Sequence, residues 1–350
     1  MTKIFIGVNF SKKTFDASVC TQECHEPSYI GKFSNDTDGF EALLAKVNEL
    51  FEVGDAGDLL LCGENTGAYS TAFARYFAAG GCFVWLEHAA RIKHSSGICR
   101  NKTDKADSRM IAEYALRFND KAVRYVPDSR VMADLKTLFR YRSFLTREKV
   151  RLNNEIKSNN VLKDDGATME LVQSELKESL TETLRKIKEV EAKIKDKVTE
   201  NEEVEKNYTI ITSVKGVAMV NAVNLIVCTD NFRKPENARQ LMSYCGVAPF
   251  SHESGTSIHK PAKTGIQCRR ATKALLNAAA KCAVIHNPKY KEYYQRLLAR
   301  GKNFQIAINN VCAKLLREIF ALVRDRLISD SATEVKQSKK ACFSPQNACA

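Results

Sequence analysis

No two cysteines in the chain are spaced as CxxC, and no two ligand pairs have the spacing of an ordinary structural zinc site. The twelve cysteines instead stand singly among predicted strands and helices. That is the usage of a reducing compartment, where cysteine serves as a small core residue. No apolar run is long enough to cross a bilayer and no leader-like segment opens the chain, so the expectation is a cytoplasmic protein without a membrane role. Acid is also in short supply, with 41 Asp and Glu against 54 Lys and Arg and a formal net charge of +13. Such a balance points to a polyanionic partner, of which nucleic acid is the commonest. The shortage is sharpest late in the chain, where Lys260, Lys263, Arg269, Arg270, Lys273 and Lys281 meet no acid until Glu292. A solvated helix mixes signs, so this one-sided stretch, read as a basic helical region, fits a phosphate backbone.

What is present begins with an apolar run, Ile4, Phe5, Ile6, Val8 and Phe10, a polar turn at Ser11-Lys12-Lys13, and Thr14 to Ala17. β-Branched and aromatic residues on both sides of a short turn predict a β-hairpin. Asn9 interrupts its first strand, and a polar group on a buried strand needs partners. A third strand is expected at Ser28–Phe33, a helix at Phe40–Phe51, a buried strand at Asp58–Cys62 running into Glu64, a helix at Tyr69–Ala79 and a further strand at Cys82–Leu86. Three antiparallel strands, a helix, then strand-helix-strand is the order of a ribonuclease-H-like α/β domain. Residues 89–101 suit a loop or short helix. A helix from Thr103 or Asp104 to Phe118 puts Asp104 and Asp107 on one face.

Two long charged segments, 128–160 and 169–206, break at Asp164-Asp165-Gly166 and read as an antiparallel helical hairpin or coiled coil. Beyond them, a turn between helices is expected around Lys215-Gly216-Val217, a helix at Phe232–Cys245 and a polar loop at Pro249–Ser257. Helices over 305–328 and a polar, disordered tail close the chain. The expected domains are 1–125, 126–206 and 207–328, with the tail at 329–350. His252, His259 and His286 are too dispersed for a metal cluster, and Asp16 and Glu87 are candidates for supporting acids or structural ones.

Several motifs in order now resemble a known family, the IS110-family transposases, along nearly the whole chain. Its opening strand motif stands here as Gly7-Val8-Asn9-Phe10-Ser11-Lys12-Lys13-Thr14-Phe15-Asp16. Its second is Glu64-Asn65-Thr66-Gly67-Ala68-Tyr69, and its third Lys102-Thr103-Asp104-Lys105-Ala106-Asp107-Ser108. Its carboxy-terminal features resemble Lys215-Gly216-Val217, Ser254-Gly255, the lysine-rich stretch from Lys263 to Leu276, and Arg300-Gly301-Lys302.

The resemblance implies an N-terminal RuvC-like domain whose Asp, Glu, Asp, Asp tetrad binds divalent metal, Mg²⁺ or Mn²⁺, and a C-terminal transposase domain supplying a serine nucleophile. It implies double-stranded donor and target DNA, a homo-oligomer (dimer or tetramer), action at the bacterial nucleoid and, for some members, a structured noncoding RNA that pairs with both DNAs. The metal positions carried over are Asn9, Glu64, Asp104 and Asp107. Ser254 is the expected nucleophile, with Ser251 and Ser257 as alternatives. Lys12, Lys13, Lys102, Lys215, Lys260, Lys263, Arg269, Arg270, Lys273, Arg300 and Lys302 are the expected nucleic-acid contacts.

Position 9 departs from the pattern, with an amide where the family has a carboxylate. An amide oxygen still ligates, but one negative charge is missing, which weakens hold on a hard dication. Either the position has been changed to silence cleavage while the fold is kept, or this copy is a natural altered variant. The rival readings are a RuvC-like nuclease that hydrolyses junctions with water, and a DNA- or RNA-binding protein without turnover.

Overall fold

The computed structural model describes residues 3–51, 53–95, 103–162, 166–254, 258–265 and 270–326. The chain divides into two compact units, Met1–Pro127 and Asp128–Ala350.

The first unit is a mixed α/β domain. Strands β1 (Ile4–Phe10), β2 (Thr14–Thr21) and β3 (Ser28–Ser34) are followed by helix α1 (Thr37–Leu50), strand β4 (Leu59–Glu64), helix α2 (Ala68–Ala79) and strand β5 (Phe83–Glu87). Helices α3 (Ala89–Ser95) and α4 (Asp104–Arg117) complete it. The five strands lie in the order β3-β2-β1-β4-β5. β2 runs antiparallel to β1 and β3, whereas β4 runs parallel to β1 and β5 parallel to β4. The expected element order is met, with boundaries shifted by a few residues.

Alternation of side chains across a strand explains why both faces of β1 are covered. Ile4, Ile6, Val8 and Phe10 join Phe15, Phe40, Leu43, Phe73 and Phe77 in one core. Its aromatic rings pack edge to face, as Phe10 with Phe73 (5.1 Å) and Phe40 with Phe73 (5.4 Å). Phe5 turns the other way, into a second core with Leu60, Cys62, Trp85, Ile111 and Ala112. Gly7 shares that face and lets α4 lie directly on the sheet, since a Cβ there would stand 2.1 Å from the Ala112 backbone nitrogen.

The second unit is mostly helical. Helices α5 (Arg130–Leu162) and α6 (Ala167–Thr199) form a hairpin, and its direction follows from its cross-links. Lys197 reaches Asp134 (3.4 Å), Arg142 Nε donates to Glu191 (2.7 Å), and Gln173 donates to Asn160 (3.2 Å). As one number rises the other falls, so the arms are antiparallel. Met132, Leu135, Leu145, Val190, Ile194 and Val198 at the base of the hairpin share the core of the helices that follow. The second arm ends before residue 206, contrary to the expected span. Asn201 accepts from the Val204 N–H and starts helix α7 (Glu202–Ser213), whose first turn carries Glu202, Glu203 and Glu205.

Helix α8 (Met219–Thr229) follows the Lys215-Gly216 turn. The single helix expected at 232–245 shrinks to α9 (Ala238–Tyr244), capped by Asn237. Asp230, Asn231 and Phe232 have positive φ (55°, 56° and 64°), and the Thr229 hydroxyl accepts from the Phe232 N–H (2.9 Å). Asp230 and Asn231 precede the expected helix, and Phe232 with the residues up to 237 forms a turn where its first part was expected. The segment expected as a polar loop is instead strand β6 (Pro249–Ser254), paired antiparallel with β7 (Ile258–Thr264). Lys260 and Lys263 therefore stand on a strand, and the basic helix α10 (Arg270–His286) begins later than expected. Helices α11 (Pro288–Ala299) and α12 (Phe304–Asp325) complete the unit. The tail at 329–350 lies outside the described residues.

Candidate active site and nucleic-acid face

Register assembles the site in the first unit. Asn9 pairs with Asp16 across β1–β2, and Glu64 pairs with Glu87 across β4–β5. Val8 aligns with Gly63, so Asn9 and Glu64 come next on neighbouring parallel strands. Strand alternation turns all four toward the face covered by α4, the face of Phe5, Leu60, Cys62 and Trp85. One rung of the sheet thus carries Asp16, Asn9, Glu64 and Glu87 in spatial order.

Helix α4 brings the third motif to this rung. Thr103 caps it by accepting from the Ala106 N–H, and Asp104 and Asp107 occupy its first turn, where the helix dipole favours negative charge. Asn9 Nδ2 donates to Asp104 Oδ1 at 3.3 Å. Residues 95 positions apart are in direct contact, and they are the two that the first and third motifs nominate. Asp107 lies half-buried three residues on, and Glu64 is half-buried at the end of β4.

The outer members of the rung are held by the protein itself. Asp16 is 5% exposed, accepts from the Tyr29 hydroxyl (2.7 Å) and has Lys32 at 4.0 Å. Glu87 is 7% exposed and accepts from the His88 N–H (2.7 Å), the Tyr114 hydroxyl (3.3 Å) and Arg91 (3.5 Å). Burial first, then the adjoining carboxylate, pushes both phenols up, Tyr29 and Tyr114 each to about 12. Asp16 and Glu87 are thereby structural acids beside the site. Their tyrosine partners carry no signal in the sequence, because only the fold brings them together.

The donor set does not fit a pair of dications as it stands. An amide occupies position 9, and its N–H, a donor, points at an Asp104 oxygen that a metal would need. Among the described residues, no group of three or more His, Cys, Asp and Glu side chains is arranged to hold a metal ion.

In the second unit, Ser254 ends β6 opposite Ile258, and Ser251 lies within the same strand. Ser257, Gly255, Lys102 and Arg269 lie outside the described residues. Lys12 and Lys13 are exposed in the β1–β2 turn, Lys215 is half-buried between α7 and α8, and Arg270 opens α10 on the surface. Arg300 caps α11. Of the expected nucleic-acid contacts, Lys263, Lys273 and Lys302 are brought together around one cavity.

Comparison with known proteins agrees with these motifs. A family profile described as Transposase matches residues 6–164, and one described as Transposase IS116/IS110/IS902 family matches residues 208–295. These define a transposase in both parts of the chain. The protein belongs to the IS110 family of transposases and recombinases. It is similar to the pilin gene-inverting proteins of Moraxella lacunata and Moraxella bovis, each 24% identical over 328 residues, 93% of this chain and 97% of theirs. It is also similar to an uncharacterized protein of insertion element IS110 from Streptomyces coelicolor, 29% identical over 164 residues, 47% of this chain and 39% of that one. No helix among the described residues is long and apolar enough to cross a membrane.

Proposed function

We propose that the protein is a DNA recombinase that cuts and rejoins strands, with a RuvC-like site at positions 9, 64, 104 and 107 and a serine nucleophile on the β6–β7 hairpin. The observation that carries this is the Asn9–Asp104 hydrogen bond on the rung that also holds Glu64. It joins the first and third motifs, and the second stands on the neighbouring strand at the same end of the sheet. With a carboxylate at position 9, two anions would face each other where an amide now donates, and a divalent cation would relieve that repulsion. Asn9 thus performs structurally what a bridging cation would perform, and leaves the site deficient in charge.

With a carboxylate restored at position 9, Glu64, Asp104 and Asp107 would join it in holding a divalent cation, which would supply charge stabilisation for a phosphodiester. The chain's own contribution is nucleophilic. The Ser254 hydroxyl forms an O–P bond as the P–O bond to the leaving sugar oxygen breaks, and the departing oxygen takes up the proton. One phosphate ester replaces another, so rejoining by the reverse attack needs no high-energy cofactor. The pilin gene-inverting relatives support double-stranded DNA as the substrate. A homo-oligomer, Mg²⁺ or Mn²⁺ and a structured noncoding RNA complete the proposal on family grounds.

The test is Asn9→Asp, compared with the parent with and without Mg²⁺. Without metal, the variant should melt below the parent, because the amide donor is replaced by a second anion. Mg²⁺ should raise its melting temperature and leave the parent's nearly unchanged, and strand cleavage should rise in parallel. Equal metal responses of the two forms would remove position 9 from the site. Trapping a covalent protein–DNA adduct separates transesterification from hydrolysis, and an adduct that persists in Ser254→Ala would rule out that serine. The second reading, nucleic-acid binding without turnover, is favoured by the same Asn9 contact. It prevails if Asn9→Asp also binds DNA without cutting it.

A further inference from the structure

A cavity of about 630 Å³ opens in the second unit, at the base of the β6–β7 hairpin. Lys263 and Thr264 from β7, Lys273 and Asn277 from α10, Lys302, and Gln305, Ile306, Asn309 and Asn310 from α12 form much of its wall. Two features set this wall apart. Its charges are all positive, although like charges gathered around one space repel unless an anion joins them. Its remaining polar groups are largely carboxamides, which offer a donor and an acceptor side by side, as the edge of a nucleobase requires.

Two hydrogen bonds fix polar groups of this wall. Lys273 is aimed by a hydrogen bond from its ammonium to Thr264 Oγ1 (2.9 Å). Asn309 donates Nδ2 to the Val247 carbonyl (3.0 Å), which fixes the orientation of its amide. Its Oδ1 is buried with no hydrogen-bond partner among the described residues. A buried acceptor without a donor calls for an explanation, and a base N–H reached by a small shift of the wall provides one. Ile306, 54% exposed, offers an apolar side against which a base can lie.

We propose that this cavity takes one unstacked nucleotide of the bound strand, its phosphate on Lys263, Lys273 and Lys302 and its base edge against Gln305, Asn309 and Asn310. The volume lies within the range of small-ligand sites, about 300–1,000 Å³. Bases inside an intact duplex turn their pairing edges inward and cannot reach carboxamides in a cavity wall, so the nucleotide must leave the stack. From Pro249 at the cavity to Ser254 at the far end of β6 the hairpin runs roughly 17 Å, taking the usual rise per strand residue. The cavity would therefore hold the strand a few nucleotides from the proposed nucleophile. This inference rests on the nucleic-acid reading above and deepens it.

The test uses the full-length protein with two probes, a fluorescein-labelled single-stranded DNA and a duplex carrying 2-aminopurine. Lys263→Gln with Lys302→Gln should weaken single-strand binding about tenfold and flatten the salt dependence of log K by about 1.4. Gln305→Ala with Asn310→Ala should keep the parent's salt slope but abolish the rise in 2-aminopurine fluorescence that reports unstacking. Gln305 and Lys302 are exposed, and unchanged melting curves would establish that the variants fold. Parent-like binding by the lysine pair, or a parent-like 2-aminopurine signal from the amide pair, would overturn the cavity and leave the nucleic-acid reading standing. A parent protein that binds neither probe would overturn both.

Discussion

The two units collect polar groups by opposite means and to opposite sign. In the first, sheet register lines up Asp16, Asn9, Glu64 and Glu87 on one rung, and a helix laid on Gly7 adds Asp104 and Asp107. In the second, a cavity lined by residues of β7, α10 and α12 gathers Lys263, Lys273 and Lys302. A strand fixes its side chains at every second residue, so the acidic rung tolerates no change of register. A cavity among helices draws on longer, more flexible side chains. The first unit fixes its polar groups by geometry and the second gathers charge, in keeping with the proposed chemical centre and the proposed grip on a phosphate backbone.

The strongest way to break this comparison is to disrupt each unit from inside. A Cβ at Gly7 would stand 2.1 Å from the Ala112 nitrogen. At Gly216, whose φ is +102°, a Cβ would stand 2.6 Å from backbone atoms of Ala283. Neither obstacle is the end of a flexible side chain, so backbone must move, and each Gly→Ala change should cost about 3 kcal/mol or more. Trp85, the single tryptophan, reports the first unit by fluorescence, whereas far-UV circular dichroism is dominated by the helical second unit. Gly7→Ala should shift the urea transition of Trp85 alone, and Gly216→Ala that of the helical signal alone. Both signals moving together would mean that the units are not separate folding bodies.

Legibility of the sequence follows the same division. The strands of the first unit are plain because their apolar residues alternate or run unbroken, and the Thr103 cap with two acids announces α4. Glu64, Asp104 and Asp107 are found from local motifs, but the contact between Asn9 and Asp104 needs the fold. In the second unit, periodicity is less decisive. Pro249–Thr264 carries serine, histidine and lysine on a two-stranded ribbon and so resembles a loop, with little apolar alternation to betray it. The start of α9 is misplaced by pattern because Phe232 reads as the first apolar position of a helix, whereas it adopts a left-handed φ here and the helix waits for the Asn237 cap.

Alkaline pH should sharpen the picture of the acidic rung. Tyr29 and Tyr114 are held at about 12 in the fold, against about 10 for an unfolded tyrosine. A raised folded value means that the native state retains protons which the unfolded state releases. The stabilisation is therefore complete below about pH 10 and is lost as pH rises toward 12. Denaturant melts read at Trp85 should weaken across that window. Replacing both tyrosines by phenylalanine should flatten the decline, because no phenol is then left beside Asp16 or Glu87 to titrate.

The smallest expected effect concerns how α4 is seated. Ser18 on β2 and Ser108 on α4 share a hydrogen bond of 2.7 Å, and both side chains are buried. Ser108 Oγ also lies 3.0 Å from the Lys105 carbonyl, to which it can donate. Ser108→Ala removes that hydroxyl and leaves Ser18 without this partner in an apolar layer, so it should cost about 1–2 kcal/mol. The double variant Ser18→Ala with Ser108→Ala removes both ends and should recover most of the loss. A double-mutant cycle on Trp85 melts measures what the Ser18–Ser108 pair contributes. Recovery in the double variant identifies a local polar pair. No recovery would mean that the serines set the height of α4 above the sheet, and Asp104 should then lose its 3.3 Å contact with Asn9 as well.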